Sequence, residues 1–163
     1  MNEPNLSKPY LMEFDISRPN HPGEVSEKLF FSPEDDVYRH PDYKGPAPLS
    51  FQPSFDMYSL GVILFENGLW RNVVSQAHRH TMRPSLPTHN LDPQLIEKVV
   101  MSGPVMELKR YTGVRYQDAV IACLNREFDT FWQQPEENQK EQLQVYLVHI
   151  QNHIVNTIAH CNA

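Results

Sequence analysis

The chain has 163 residues, of which 40% are hydrophobic, a formal net charge of −6 and a pI of about 5.7. A chain of this length and composition can bury the core of one globular domain, which excludes a disordered protein. The negative charge argues against nucleic acid or an anionic membrane as the main partner. Two cysteines are too few for a disulfide framework. No apolar run suits a signal peptide or a membrane span, so a cytoplasmic location is expected.

The first third of the sequence is irregular. Residues 1–9 are polar and are expected to form a loose N-terminus, and residues 10–14 suit one short strand. Residues 17–53 carry seven of the 14 prolines and show no helical periodicity. Loops of this length are uncommon in compact domains unless they are functional.

Residues 54–70 (S-F-D-M-Y-S-L-G-V-I-L-F-E-N-G-L-W) predict a central buried helix at about 54–68, because apolar residues occur nearly all round the helical wheel. Ser54 is expected to cap its N-terminus, Asp56 to suit the positive end of its dipole, and Gly68 to lie in its last turn. The wheel places three side chains together on a face that should be enclosed: Leu60, Ile63 and Leu64.

The second half of the sequence is predicted to be helical. Residues 71–90, rich in histidine and proline, are interpreted as an irregular linker, and residues 91–163 as the helical remainder. Apolar spacing predicts four helices there, one beginning at Pro93 and the others at about 105–111, 116–128 and 137–159. One stripe on the last helix is expected to face the core: Leu143, Leu147, Ile150, Ile154 and Ile158. The fold class is therefore mainly α, in a single domain with long structured loops.

Sequence runs typical of three kinase elements, the activation segment, helix F and helix H, occur in the order found in protein kinases. They make the chain resemble part of the C-terminal lobe of that fold. Residues 56–66, D-M-Y-S-L-G-V-I-L-F-E, resemble the signature of helix F, the buried helix of that lobe. Residues 11–18, L-M-E-F-D-I-S-R, resemble the start of the activation segment, and residues 38–42, Y-R-H-P-D, resemble its end. Residues 119–124, A-V-I-A-C-L, look like the helix H run. The resemblance implies a partial kinase-like C-terminal lobe in which residues 10–53 are an activation-segment-like loop.

Several runs of the amino-acid sequence are most similar to the kinase-like regions of large filamentous-fungal proteins. The runs F-D-I-S-R-P, Y-R-H-P-D-Y and Y-Q-D-A-V-I-A-C-L carry this likeness. Many of those proteins contain a prion-inhibition (HeLo-type) module and are linked to heterokaryon incompatibility. This resemblance implies an intracellular signalling role.

The sequence departs from active kinases at the position of the D-F-G motif. In active kinases the aspartate of that motif holds Mg²⁺ against the ATP phosphates. Here the motif reads Glu13-Phe14-Asp15, so the longer Glu13 side chain displaces the ion and Asp15 adds a Cβ at a backbone hinge. The 163 residues also contain no H-R-D-x-x-x-x-N motif, no V-A-I-K lysine and no Gly-rich loop. Phosphoryl transfer depends on such positioned groups, so a pseudokinase segment without catalytic residues or a cofactor is expected.

The resemblance also implies structural roles for individual residues. Tyr38, Pro41 and Asp42 would end the activation segment, and Asp42 would pair with an arginine near helix H, for which Arg126 is the candidate. The signature positions of helix F are structural: Asp56, Tyr58, Gly61 and Glu66.

One further pair of residues has metal-compatible spacing. His149 and His153 lie at i and i+4 on the last helix, but the sequence contains no H-E-x-x-H motif and indicates no third ligand. We interpret both as residues on a solvent-facing rim and expect no metal site.

The leading interpretation is an inactive kinase-like module that contacts a protein partner, or the rest of a parent kinase-like protein, through residues 17–53 and the groove beside residues 71–103. Self-association is also expected, because helix F without a catalytic loop would be underfilled at Val62, Phe65 and the Asp56 end, unless the last helix covers them. The first alternative is a truncated piece of a full-length kinase with ATP-dependent phosphotransfer. The second is an unrelated helical adaptor.

Overall fold

The computed structural model describes residues 35–43, 52–81, 93–132 and 139–161. The predicted strand and the residues aligned with D-F-G lie outside these ranges. Within the ranges the regular structure is helical and contains no strand, which confirms the mainly α class. The elements in chain order are a first 3₁₀ turn Asp35–Tyr38, α1 Pro53–Leu69, α2 Val73–Thr81, α3 Pro93–Ser102, α4 Pro104–Thr112, α5 Val114–Leu124, a second 3₁₀ turn Asp129–Trp132, α6 Gln139–Ile150, a π-helical turn Gln151–Val155 and α7 Asn156–Ala159.

Helix α1 lies at the centre of the described residues, as the sequence predicts. It contacts α5 and α4 most extensively, and also α2 and the first 3₁₀ turn. Its buried side chains follow the spacing i, i+4, i+7, i+11 and join one core cluster with residues of α3, α4 and α5: Tyr58, Val62, Phe65 and Leu69.

The predicted orientation of α1 is right only in part, because Leu60 and Leu64 are half-buried against the core clusters but Ile63 is not enclosed. Ile63 is 47% exposed, whereas Val62 and Phe65, which were expected to be underfilled, are fully buried. Only the Asp56 end is exposed as expected. The sequence of a helix that is apolar nearly all round does not indicate which face will be buried. The packing of α4 and α5 decides which face of α1 is covered.

The N-terminus of α1 also differs from the prediction. The helix begins at Pro53 with Gln52 as its N-cap residue, and Ser54 lies buried in the first turn without making a capping hydrogen bond. Proline suits this first position because its fixed φ is helical and the N–H that it lacks would have no partner within the helix.

Two glycines of α1 serve close packing. A Cβ at Gly61 would lie 2.7 Å from the Cβ of Cys123, and a Cβ at Gly68 would lie 2.5 Å from Leu108 Cδ2. Gly68 lies in the last turn, as predicted, but it is not the residue that ends the helix. Trp70 does so, in the left-handed conformation with φ 52°, while its N–H donates to the carbonyl of Glu66.

Residues 73–81 of the predicted linker 71–90 form helix α2. Side chains accept hydrogen bonds from the N–H groups at its N-terminus. The Asn72 Oδ1 atom accepts hydrogen bonds from the N–H groups of Val74, at 2.9 Å, and Ser75, at 3.3 Å. Glu66 Oε1 accepts a third from the N–H of Val73 at 2.7 Å. Four N–H groups at a helix start lack partners within the helix, and these acceptors serve three of them.

Helices α3 and α4 begin at or near the predicted positions, but α5 ends four residues before the predicted 128. Asn125 caps it and Arg126 adopts a left-handed φ of 62°. The chain therefore turns away from the helix axis, and Phe128 is buried in a second core cluster with Met57 of α1.

The last helical region packs over this second cluster through part of the predicted stripe, with Tyr146 in place of Leu143 and Leu147. Tyr146, Ile150, Ile154 and Ile158 face the cluster, whereas Leu143 and Leu147 are exposed. Steps of four residues drift by about 40° each in an α-helix, because 3.6 residues make a turn. The wider π-helical turn at 151–155 offsets part of that drift and keeps the four side chains on one face. Among the described helices, none combines the length and apolar character that a bilayer crossing requires.

Two substitutions in α1 test its orientation. We expect Phe65→Ala to lower the free energy of unfolding by about 3–5 kcal/mol, because it leaves a cavity in a packed core. Ile63→Ala, on the exposed side of the same helix, should lower it by about 1 kcal/mol or less. Urea unfolding followed by circular dichroism measures both, and equal losses would contradict this orientation.

Candidate functional site

Residues 38–43 pack against α1 and the turn after α5. Pro41 is buried, and the N–H of Tyr43 donates to the carbonyl of His40 at 2.9 Å, which closes the turn. The imidazole of His40 is 1% exposed and stacks on Phe55, with 4.6 Å between ring centroids. Its edge also contacts the ring of Tyr58 at 5.4 Å.

The hydrogen bonds of His40 indicate its tautomer. Its Nδ1 accepts from the N–H of Asp42 at 3.2 Å, so the ring proton is placed on Nε2. Nε2 lies 3.1 Å from Asp129 Oδ2 and donates to it. A buried neutral imidazole thus links the turn to the carboxylate of Asp129.

Arg126 completes the arrangement. Its guanidinium pairs with Asp42, and its Nε donates to Asp129 Oδ2 at 2.7 Å. The predicted pairing of Asp42 with Arg126 is therefore confirmed. We call His40, Asp42, Arg126 and Asp129 the segment junction.

Sequence reasoning missed two members of the segment junction. His40 lies inside the Y-R-H-P-D motif and Asp129 lies three residues after Arg126, so both were close to residues already singled out. Their partnership depends on the left-handed turn at Arg126, which no sequence pattern indicated.

Electrostatics favour the ionised form of Asp129. Burial on its own would raise the pKa of this carboxyl, but the hydrogen bonds from His40 and Arg126 and the positive charge of Arg126 outweigh burial and hold the pKa below its ordinary value of 3.8. Glu97 of α3 lies near Arg126, yet burial raises the pKa of Glu97 despite that positive charge.

The segment junction has metal-ligand residues but not the electrostatics of a metal site. One ligand atom each from His40, Asp42 and Asp129 lies within 4.8 Å of the others. The guanidinium of Arg126 already donates to both carboxylates, so a divalent cation would have to displace it. The arrangement instead suits a fixed anchor that holds residues 38–43 against the helices.

A second anchor involves two predicted site residues, Tyr38 and Glu66. The Tyr38 hydroxyl donates to Glu66 Oε1 at 3.1 Å, and the same oxygen accepts the Val73 N–H. Glu66 therefore joins the stretch, α1 and α2. Three other predicted helix F residues differ in their surroundings. Gly61 lies against Cys123 of α5, Tyr58 is buried in the first core cluster, and Asp56 is exposed.

The structure brings His149 and His153, the two residues with metal-compatible spacing, into contact with each other. Their rings stack with centroids 4.0 Å apart and planes 29° apart. His149 is half-buried rather than at a solvent-facing rim, and burial together with the charge of His153 lowers its pKa.

No protein-family model, curated protein or solved structure matches this chain.

The segment junction predicts a pH-dependent loss of stability for Asp129→Asn. Because the pKa of Asp129 is lowered on folding, its stabilising contribution is present at neutral pH and disappears as the pH falls below 3.8. We expect the substitution to cost about 1–3 kcal/mol at pH 7, and this cost should shrink progressively as the pH falls below 3.8 toward the lowered pKa of the folded state.

Urea unfolding at several pH values measures this difference. Asp118→Asn, on an exposed part of α5, is the matched control and should change stability by less than about 0.5 kcal/mol throughout. An Asp129→Asn effect of the same size at pH 7 and in acid would contradict the assignment.

Proposed function

We propose that this chain is a catalytically inactive kinase-like C-lobe segment that acts as a protein interaction and regulatory module. The observation that carries the proposal is the ion pair between Asp42 and Arg126. The resemblance to kinases implies such a pair between the end of the activation segment and the arginine after helix H. The central position of α1, which carries the helix F-like sequence, is a second support.

The inactivity rests on the residues that replace the D-F-G motif. Glu13 and Asp15 alter the metal-binding and hinge positions, and the given sequence contains no V-A-I-K lysine or H-R-D motif. Without a positioned base, lysine and metal, the electrostatic stabilisation that phosphoryl transfer needs is missing.

The interaction surface of this proposal is the activation-segment-like stretch. Its described end, residues 38–43, is held at three points, by Glu66, Asp129 and Arg126, so this turn is a fixed part of the proposed contact surface. Because the chain has a net charge of −6, a partner with a basic contact surface is favoured.

A nucleotide-binding experiment tests the inactivity. The melting temperature should be unchanged by about 5 mM Mg·ATP, since a ligand stabilises a protein only by binding its native state. The double variant Glu13→Asp, Asp15→Gly restores the D-F-G motif. Its melting temperature should also be unchanged by Mg·ATP, and it should transfer no phosphate. A saturable shift would contradict the proposal and support the alternative of an active kinase fragment.

A capture experiment tests the interaction role separately. A partner that recognises the anchored stretch should be retained by the wild-type chain and lost with Arg126→Gln, which breaks the segment junction. Arg110→Gln, an exposed arginine of α4, is the control and should retain the partner. Equal retention by both variants, with circular dichroism unchanged, would contradict this surface.

A further inference from the structure

A cavity of about 390 Å³, open to solvent, lies between α5 and the C-terminal helical region. Its α5 wall carries Arg115 and Asp118, about one helical turn apart, together with the small side chain of Ala122. The opposite wall is formed by the π-helical turn and the start of α7. Cavities of this volume hold small organic ligands. We call it the α5 cavity.

The π-helical turn supplies this cavity with polar side chains that are held in place. Asn156 Oδ1 accepts a hydrogen bond from Gln151 Nε2 at 2.9 Å, and Asn156 Nδ2 donates to Asn152 Oδ1 at 3.4 Å. His153, which also lines the cavity, stacks on the ring of His149 with 4.0 Å between the centroids. Short π-helical turns inside α-helices are frequent at functional sites. The wall therefore presents amide and imidazole groups in fixed positions.

The formal charges of the α5 cavity come from α5. Residues 142–163 contain no Asp, Glu, Lys or Arg, so the opposite wall adds no formal charge. Arg115 and Asp118 are three residues apart on one helix, a spacing at which opposite charges commonly pair. Neither side chain forms an ion pair or hydrogen bond with the other, or with another residue in the described part of the chain. One positive and one negative charge at the cavity are therefore open to a ligand.

These two charges decide the class of ligand. A simple anion that contacts Arg115 is repelled by the carboxylate of Asp118, and a simple cation that contacts Asp118 is repelled by the guanidinium. A molecule with both a carboxylate and an ammonium group pairs with both side chains through charge-assisted hydrogen bonds. The amides of Asn152 and Asn156 suit further polar atoms of such a molecule, because each amide carries both donors and an acceptor.

We propose that the α5 cavity binds a small zwitterion, a free amino acid or a dipeptide, with its carboxylate on Arg115 and its ammonium group on Asp118. This proposal does not depend on the kinase-like assignment.

Calorimetric titration of the full chain at pH 7 tests the proposal with four probes. L-Glutamine and glycylglycine are zwitterions, and the tighter of the two distinguishes an amino-acid site from a dipeptide site. N-acetyl-L-glutamine lacks the ammonium group and L-glutamine amide lacks the carboxylate. For a zwitterion of about ten non-hydrogen atoms in an open cavity, we expect a dissociation constant of about 0.1–5 mM. Each glutamine derivative should bind about 10-fold or more weakly than L-glutamine.

Substitutions on α5 locate the binding. Arg115→Gln and Asp118→Asn should each weaken zwitterion binding by about 10-fold or more. Both positions are exposed, so circular dichroism should be unchanged in both variants. The control is Arg110→Gln, which removes an exposed positive charge of α4 that does not line the cavity. It should bind the zwitterion like the wild type.

Three results would overturn the proposal. The first is that neither zwitterion, at up to about 20 mM, produces binding heat or a change in amide NMR chemical shifts. The second is that the glutamine derivatives with a single charge bind as tightly as L-glutamine. The third is that the folded Arg115→Gln and Asp118→Asn variants bind like the wild type. Nucleotide binding is measured separately, so failure of this proposal leaves the proposed inactivity unaffected.

Discussion

The close approach of α1 to α5 is the constraint on which the described structure depends. Because Gly61 has no side chain, its backbone lies against Cys123 at a distance where a Cβ would clash at 2.7 Å. This spacing brings the hydroxyl of Tyr116 within 2.9 Å of the Leu64 carbonyl and lets it donate a hydrogen bond across the two helices. Helix α5 is thereby fixed against α1, and the turn that follows α5 starts from a fixed position.

The segment junction is a consequence of that position. Arg126 follows directly after the cap of α5, and its left-handed backbone directs the chain toward residues 38–43. One guanidinium then neutralises two carboxylates, while His40 joins the same network from a buried stack on Phe55. The network is partly shielded from solvent, so its hydrogen bonds contribute more than an exposed surface ion pair would.

Residues 38–43 and the C-terminal helical region differ in chemistry. The turn at 38–43 carries charged groups of the segment junction, and it is the surface of the proposed interaction role. The C-terminal helical region packs Tyr146 and Ile154 over Met57 and Phe128, so its contribution to the fold is apolar.

Sequence alone determined the elements whose signals are local. The apolar run that includes Phe65 predicted a central helix, apolar spacing separated the helix at about 105–111 from the one at about 116–128, and the resemblance to kinases led to the pairing of Asp42 with Arg126. These conclusions need only the periodicity of neighbouring residues or a pairing that the resemblance implies.

Tertiary structure decided every property that depends on which neighbours arrive. Ile63 and Phe65 are equally apolar, and only the placement of α4 and α5 buries one and exposes the other. Glu66 and Asn72 convert part of an apparent linker into α2, because the caps that satisfy its N–H groups come partly from another helix. Likewise, the buried stripe of the last helical region includes Tyr146 and leaves Leu147 outside, because it is Tyr146 that meets Phe128. Apolar periodicity describes a helix in isolation, whereas the burial of a side chain depends on the elements that pack against the helix.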